Sequence, residues 1–217
     1  DGIQAKVRLI DCVGYMVDGA AGHVENGEER MVKTPWSEKE IPFTQAAQIG
    51  TRKVIGDHST IGIVVTTDGS VGELKRSAYI DAEKQTVDEL KKLGKPFILL
   101  LNSTKPYSDE TLKLAEQLAA DYGVTVLPVS CEQLKKEDIF HILESVLKEF
   151  PVTQLDFHIP KWLEVLPATH WLKTQVIDMA RELLKKVSHM KDAASQIKTF
   201  GGSSGPVEKI TRSEEHT

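Results

Sequence analysis

Val7-Arg8-Leu9-Ile10-Asp11-Cys12-Val13-Gly14-Tyr15 places an aspartate inside an apolar, β-branched run, with a glycine three residues later. The pattern predicts a strand of a parallel α/β sheet that carries an acid at its carboxyl end. There a carboxylate can hold Mg²⁺, directly or through water, and a glycine amide can face a phosphate. The same nine residues also suit a buried strand running into an Asp/Gly turn with no ligand.

Three further apolar runs share the character of the first. Thr60-Ile61-Gly62-Ile63-Val64-Val65-Thr66-Thr67 stops at Asp68-Gly69, and Pro96-Phe97-Ile98-Leu99-Leu100-Leu101 runs into Asn102-Ser103-Thr104-Lys105-Pro106. Val124-Thr125-Val126-Leu127-Pro128-Val129 delivers Ser130 and Cys131. Apolar continuity without strict alternation predicts strands covered on both faces. Between them, helical periodicity predicts helices over 43–57, 73–93, 109–121 and 136–149, with Ser108 as the N-cap of the third and Gly94 ending the second. Strand–helix alternation of this kind is a doubly wound, mostly parallel sheet. Ligands of such sheets collect beyond the carboxyl ends of the strands. Asp11/Gly14, Thr67/Asp68, Asn102/Lys105 and Ser130/Cys131 are therefore expected on one rim, around a nucleotide or phosphometabolite.

Between Val17 and Pro42 the chain is rich in Gly, Glu and Asn and shows no period, which predicts either disorder or a working loop beside the site. His23 in that stretch suits a ligand or base, and equally a solvent-exposed loop position. Arg52 and Lys53 suit the C-terminal turns of their helix, or a reach toward phosphate. Beyond residue 150, Leu155, Phe157 and Ile159 alternate as in a half-buried strand. Pro160, Trp162 and Pro167 mark a turn, and an apolar stripe from Leu172 to Ile197 predicts a long helix from His170 to about Thr199. Residues 201–217, opening Gly-Gly-Ser-Ser-Gly, have the composition of a tail or linker.

The composition narrows the function classes. The chain has 217 residues, 40% of them hydrophobic and 27% charged, enough for one substantial core and an appendage. A formal charge of -5 argues against nucleic acid as the main partner. Cys12 and Cys131 lie far apart with no C-x-x-C, which fits a reduced cytoplasmic setting better than a disulfide scaffold or zinc site. No apolar run has the length of a membrane span, and no signal peptide is visible. The chain opens on Asp1 and enters its first strand by about residue 6, as expected of a fragment.

Longer stretches carry a specific resemblance. Leu9–Tyr15, Thr34-Pro35-Trp36, Ile49–Ile55, His58–Gly62, Thr66–Gly69, Gly94–Ile98, Glu149–Val152 and His170-Trp171-Leu172 together resemble the nucleotide-binding region of the stage IV sporulation protein A family. These are spore-coat morphogenetic ATPases of the translation-factor-like class of P-loop NTPases, and the resemblance covers about residues 1–200. It implies a P-loop NTPase-type sheet, incomplete at its N-terminus and followed by a strand and a long helix. The implied divisions are a truncated NTPase-like domain at 1–151, a strand and long-helix appendage at 152–200, and a polar tail at 201–217. ATP and Mg²⁺ are the implied cofactors. Asp11 matches the Walker B acid, catalytic and metal-binding, and Gly14 the glycine near the γ-phosphate. Asn102 begins the base-recognition motif, Lys105 ends it, and Ser130-Cys131 matches the loop that passes the base.

In that motif, Asn-Lys-x-Asp of GTPases, the acid that accepts both guanine N–H donors is here Lys105. An ammonium cannot accept those bonds, so guanine is disfavoured on physical grounds. The implied function of the whole protein is ATP hydrolysis coupled to self-association into the spore-coat basement layer, in the mother-cell cytoplasm at the forespore surface. Implied partners are a small amphipathic protein that recruits it to the membrane and other spore-coat proteins. One departure is serious: no G-x-x-x-x-G-K-[S/T] occurs in the chain. Without that loop these 217 residues alone are expected to be inactive. A GTP-dependent switch and a non-catalytic scaffold with a vestigial site are the competing readings.

Overall fold

The computed structural model describes residues 6–193, which divide between Val146 and Leu147 into two compact units. In the first unit the sheet is three parallel strands in the order β5-β6-β7, and two small antiparallel ribbons, β1-β2 and β3-β4, precede it. The sheet strands are β5 (Gly62–Thr67), β6 (Phe97–Asn102) and β7 (Val126–Val129). Helix α2 (Arg76–Lys92) joins β5 to β6, α3 (Asp109–Tyr122) joins β6 to β7, and α4 (Lys136–Lys148) follows a single 3₁₀ turn. Each crossover thus returns the chain to a parallel neighbour, as βαβ connection requires.

β6 occupies the centre because its residues are apolar at every position up to Asn102. Phe97, Leu99 and Leu101 face α2 and α3, packing with Val64, Val87, Leu90, Ala115 and Leu118. Ile98 and Leu100 face the other way, against Ile142 and Val146 of α4. The helices therefore cover both faces of the sheet, as the unbroken apolar pattern predicts. On β5 the cover is one-sided: Val64 and Thr66 are buried, whereas Ile63 and Val65 are exposed. β5 is a sheet edge.

Three expectations are corrected. Residues 7–13 form no strand, and Val7, Leu9, Ile10 and Val13 are exposed. Strand propensity reflects packing against neighbours more than an intrinsic backbone preference, and this segment has no ladder partner. Residues 155–159 likewise form no strand, with Phe157 and Ile159 exposed; the one bridge nearby joins Pro151 to His189. The long helix ends early, α6 running from Trp171 to Lys186, with a fresh helical turn opening at Met190. Asp192 explains the break by accepting the amides of Ser188 and His189 at 3.1 and 2.8 Å, a helix N-terminal cap that an apolar stripe does not reveal. Ala194, Ile197 and the 201–217 tail lie outside the described residues.

The 17–42 stretch is ordered as two hairpins. Asn26 and Gly27 both have positive φ, 54° and 86°, between β1 (Val24–Glu25) and β2 (Glu28–Glu29). Asn-Gly at the turn of a two-residue hairpin is a local signal that the search for longer periods passes over. β3 (Met31–Thr34) and β4 (Ser37–Pro42) turn through Pro35-Trp36, and the Trp36 ring lies 3.7 Å from the space above Gly50. Gly50 is on α1 (Phe43–Lys53), which continues into a π-helical turn at Val54–His58. Lys95 donates to the Gly56 and Ser59 carbonyls at the end of that turn, at 2.8 and 2.5 Å.

In the second unit, Glu149 is buried and both its carboxylate oxygens accept from Lys191, at 2.8 and 2.9 Å. The Phe150 carbonyl accepts the Met190 amide and the Val152 amide donates to Ser188. These contacts hold the unit's chain reversal, and the short α5 (Lys161–Val165) lies between its two sides in sequence.

An ion pair in the first unit sets a test of the packing. Arg76 Nη2 donates to Glu83 Oε1 and Nη1 meets Oε2, both at 2.7 Å, with Tyr122 donating to the same carboxylate at 2.8 Å. Burial alone would raise the Glu83 pKa; bonds from Arg76, Thr66 and Tyr122 outweigh it and hold the carboxyl below its ordinary value. A depressed folded-state pKa contributes stability that is present above the unfolded value, about 4.3, and is lost as pH falls through the folded one. Glu83→Gln is expected to cost about 3 kcal/mol at neutral pH and to flatten the loss of stability below about pH 4.3. Urea unfolding across pH measures both, and an unchanged acid limb refutes the assignment.

Candidate functional site

Register places the rim. Thr67 of β5 lies opposite Asn102 of β6, and Asn102 lies opposite Val129 of β7, so the three strands end together. The Asp68 amide donates to the Asn102 carbonyl at 3.4 Å, and the Ser103 amide to the Val129 carbonyl at 2.9 Å. Asn102 and Cys131 meet directly: the Cys131 amide donates to Asn102 Oδ1 at 2.9 Å. That bond uses one lone pair of the oxygen, and the Asn102 amide nitrogen is the donor of the side chain. Ser130 precedes the 3₁₀ turn Cys131–Gln133, whose Gln133 amide it accepts at 3.0 Å. Burial raises the Cys131 thiol above its ordinary pKa, so it is a poor nucleophile.

The loop after β6 is held from within. The Thr104 amide donates to Ser70 Oγ and the Lys105 amide to Ser103 Oγ, each at 3.0 Å. Ser70 Oγ donates in turn to Asp68 Oδ1 at 2.6 Å, and Thr111 Oγ1 donates to Asp68 Oδ2 at 3.1 Å. Thr111 stands in the first turn of α3, where Ser108 caps the helix as predicted. The amides of residues 103 to 105 are thereby all spent inside the protein, and what the loop offers a ligand is side chains and carbonyls. Lys105 is exposed beside this fixed backbone. Burial would raise the Asp68 pKa, but bonds from Ser103, Ser70 and Thr111 overcome it and keep the carboxylate charged at neutral pH.

Asn102, Lys105, Ser130 and Cys131 are thus gathered at one end of the sheet. Asp11 and Gly14 are placed otherwise: Asp11 is exposed on a segment outside any strand, and Gly14 follows with a φ of 82°. Among the described residues no three His, Cys, Asp or Glu side chains converge as a metal site. His23 lies in the ribbon region and enters no such group. The groove lined by Arg52, Asp81, Lys84, Asp88, Glu89 and Lys92 sits on α1 and α2 rather than on the rim loops, and its charges balance.

Sequence reasoning placed Asp68 on the rim but missed the Ser70, Ser103 and Thr111 clasp around it. The available signal was Asp-Gly-Ser: an aspartate side chain that accepts the amide two residues on makes a turn. Ser70 N donates to Asp68 Oδ1 at 2.9 Å. Gly69 is required there, because at its φ of 90° an added Cβ would stand 2.7 Å from the Arg76 amide nitrogen.

Comparison with known proteins adds the family. Residues 1–151 match the model of the stage IV sporulation protein A ATPase domain, and residues 152–214 that of the middle domain. The chain is 43% identical over 200 residues to stage IV sporulation protein A of Bacillus subtilis (strain 168), covering 92% of this chain and 41% of that protein. It is 44% identical over 192 residues to the Bacillus anthracis protein of the same name, covering 88% and 39%. Identity to the Clostridioides difficile (strain 630) protein is 44% over 200 residues, covering 92% and 41%. The chain therefore spans about two fifths of the length of these relatives. No solved structure matches it.

The Asn102–Cys131 bond sets a second test. Asn102→Ala leaves the Cys131 amide without its partner, and a net loss of about 1 kcal/mol with faster exchange of that amide is expected. Hydrogen exchange by NMR reads the amide directly, and unchanged protection at Cys131 refutes the bond.

Proposed function

The chain belongs to the stage IV sporulation protein A family, and from that membership we propose that the whole protein hydrolyses ATP and couples the cycle to self-assembly of the spore-coat basement layer. The observation that carries the nucleotide part is the match to the family's ATPase domain over residues 1–151. The rim supports it, with Asn102, Lys105, Ser130 and Cys131 at the carboxyl ends of parallel strands, where such sheets bind nucleotides. Lys105 stands where a guanine-reading carboxylate would be needed, which favours adenine.

The fit is uneven along the nucleotide. The rim suits a base. The phosphate end does not fit the residues of this chain: there is no G-x-x-x-x-G-K-[S/T], Asp11 stands exposed, and among the described residues no three His, Cys, Asp or Glu side chains gather around it. The roles of Asp11 as Walker B acid and of Gly14 near the γ-phosphate remain proposals drawn from the resemblance.

Within this reading, residues 1–151 supply the base-recognition half of the NTPase-like domain, residues 152–200 an appendage and 201–217 a linker. The proposed partners are further copies of the protein, a small amphipathic protein at the membrane and other spore-coat proteins, at the forespore surface on the mother-cell side. Among the described residues no helix is long and apolar enough to cross a membrane, which suits peripheral attachment. A second reading is a non-catalytic scaffold, in which the long helix and polar loops are assembly surfaces and the nucleotide site is vestigial.

Nucleotide competition and assembly separate the readings. With the whole protein, ATP is expected to displace a fluorescent ATP analogue better than GTP does, and assembly measured by light scattering is expected to need ATP and Mg²⁺. Preferential displacement by GTP overturns the adenine assignment in favour of a switch protein. Equal assembly without nucleotide supports the scaffold.

A further inference from the structure

We propose that Ser70 is a positioning residue for base recognition: from the loop after β5, its hydroxyl fixes the neighbouring loop that carries Asn102 and Lys105. This rests on the reading that the latter loop meets the nucleotide base.

The geometry is a relay across two strand ends. Ser70 Oγ accepts the Thr104 amide at 3.0 Å and donates to Asp68 Oδ1 at 2.6 Å. A hydroxyl both accepts and donates, so it can link an amide to a carboxylate, which a methyl group cannot do in its place. Asp68 is itself immobilised by its own turn, through the Ser70 amide at 2.9 Å, and by Thr111 Oγ1 at 3.1 Å. Thr111 is buried at the start of α3, and Gly69 admits no side chain at this point. The anchor is thus rigid, and the Thr104 amide hangs from it.

The other amides of the loop are held by its own strand order. Ser103 N is tied to Val129 and Lys105 N to the Ser103 side chain, which is buried. Thr104 is the residue whose backbone is secured from outside the β6–β7 pair. It lies between Asn102 and Lys105, the two side chains the reading assigns to the base. Release of the Thr104 amide therefore lets the middle of the loop move while the strand and the helix cap stay in place. Ser70 itself is exposed, so its side chain contributes little to the core.

The test is made on the whole protein with Ser70→Ala and Ser70→Thr. Ser70→Ala is expected to speed exchange of the Thr104 amide about tenfold, the loss of one hydrogen bond of ordinary strength. It is expected to raise the KM for ATP about fivefold with kcat unchanged, and to narrow the preference for ATP over GTP by a similar factor. Ser70→Thr, which keeps the hydroxyl, restores all three. A merely structural role would lower the melting temperature and leave KM and base preference alone. Unchanged Thr104 exchange in Ser70→Ala overturns the clasp. Faster Thr104 exchange with unchanged KM and base preference shows instead that the loop does not meet the base, which overturns both the inference and the base-recognition reading beneath it.

Discussion

The two-sided burial of β6 is the constraint on which the first unit depends. Ile98, Leu99 and Leu101 have no exposed surface, and alternate residues of the strand serve separate cores on its two faces. Because side chains alternate across a strand, a one-residue slip would exchange the two cores and drive Asn102 from the rim. Register is therefore strongly specified where it matters. Asn102 ends the strand as its first polar residue, and its position is inherited from five apolar residues before it.

From that fixed end, the rim is built by short polar side chains rather than by charge. Asp68, Ser70, Ser103, Ser108 and Thr111 bind backbone amides and one another within two loops and one helix cap. Each bond is individually modest, worth about 1 kcal/mol. Their joint effect is geometric, since satisfying the amides internally leaves the loop with one disposition of its remaining donors and acceptors. Arg76 of the Arg76–Glu83–Tyr122 cluster also donates to Thr66 Oγ1 at 3.0 Å, tying the first turn of α2 to β5.

How much was legible in the sequence follows from what kind of pattern each element leaves. The sheet strands β5, β6 and β7 and helices α1 to α4 were readable because burial imposes long runs and periods. The Ser108 cap was readable because N-capping is local chemistry. What failed were apolar segments whose apparent order rests on a partner: residues 7–13 and 155–159 carry strand-like residues without a neighbouring ladder. The α6 stripe failed differently, since apolar spacing continues across Val187–His189 while Asp192 caps a new turn. The hairpins of 24–42 were missed because ribbons so short show no period. At the site, residue types and sheet ends were legible, whereas the Ser70–Thr104 contact, spanning two loops, depends on register and could not be.

β5 shows how the same apolar run can mean two things. Its sequence is as continuous as that of β6, yet Val64 and Thr66 are buried while Ile63 and Val65 face solvent. Leaving a large aliphatic side chain exposed forgoes roughly 1.5–3 kcal/mol of burial, and an edge strand without charges lacks the usual protection against adventitious pairing. Pattern alone reports the cover for which a strand's composition is suited; the structure reports the cover present. In β6 the two coincide, which is why the rim is sharply defined at Asn102. In β5 and at residues 7–13 they do not, and Asp11 stands exposed on that second segment. The end of the sheet that carries Asn102 is therefore fixed by its packing, and the segment that carries Asp11 is not.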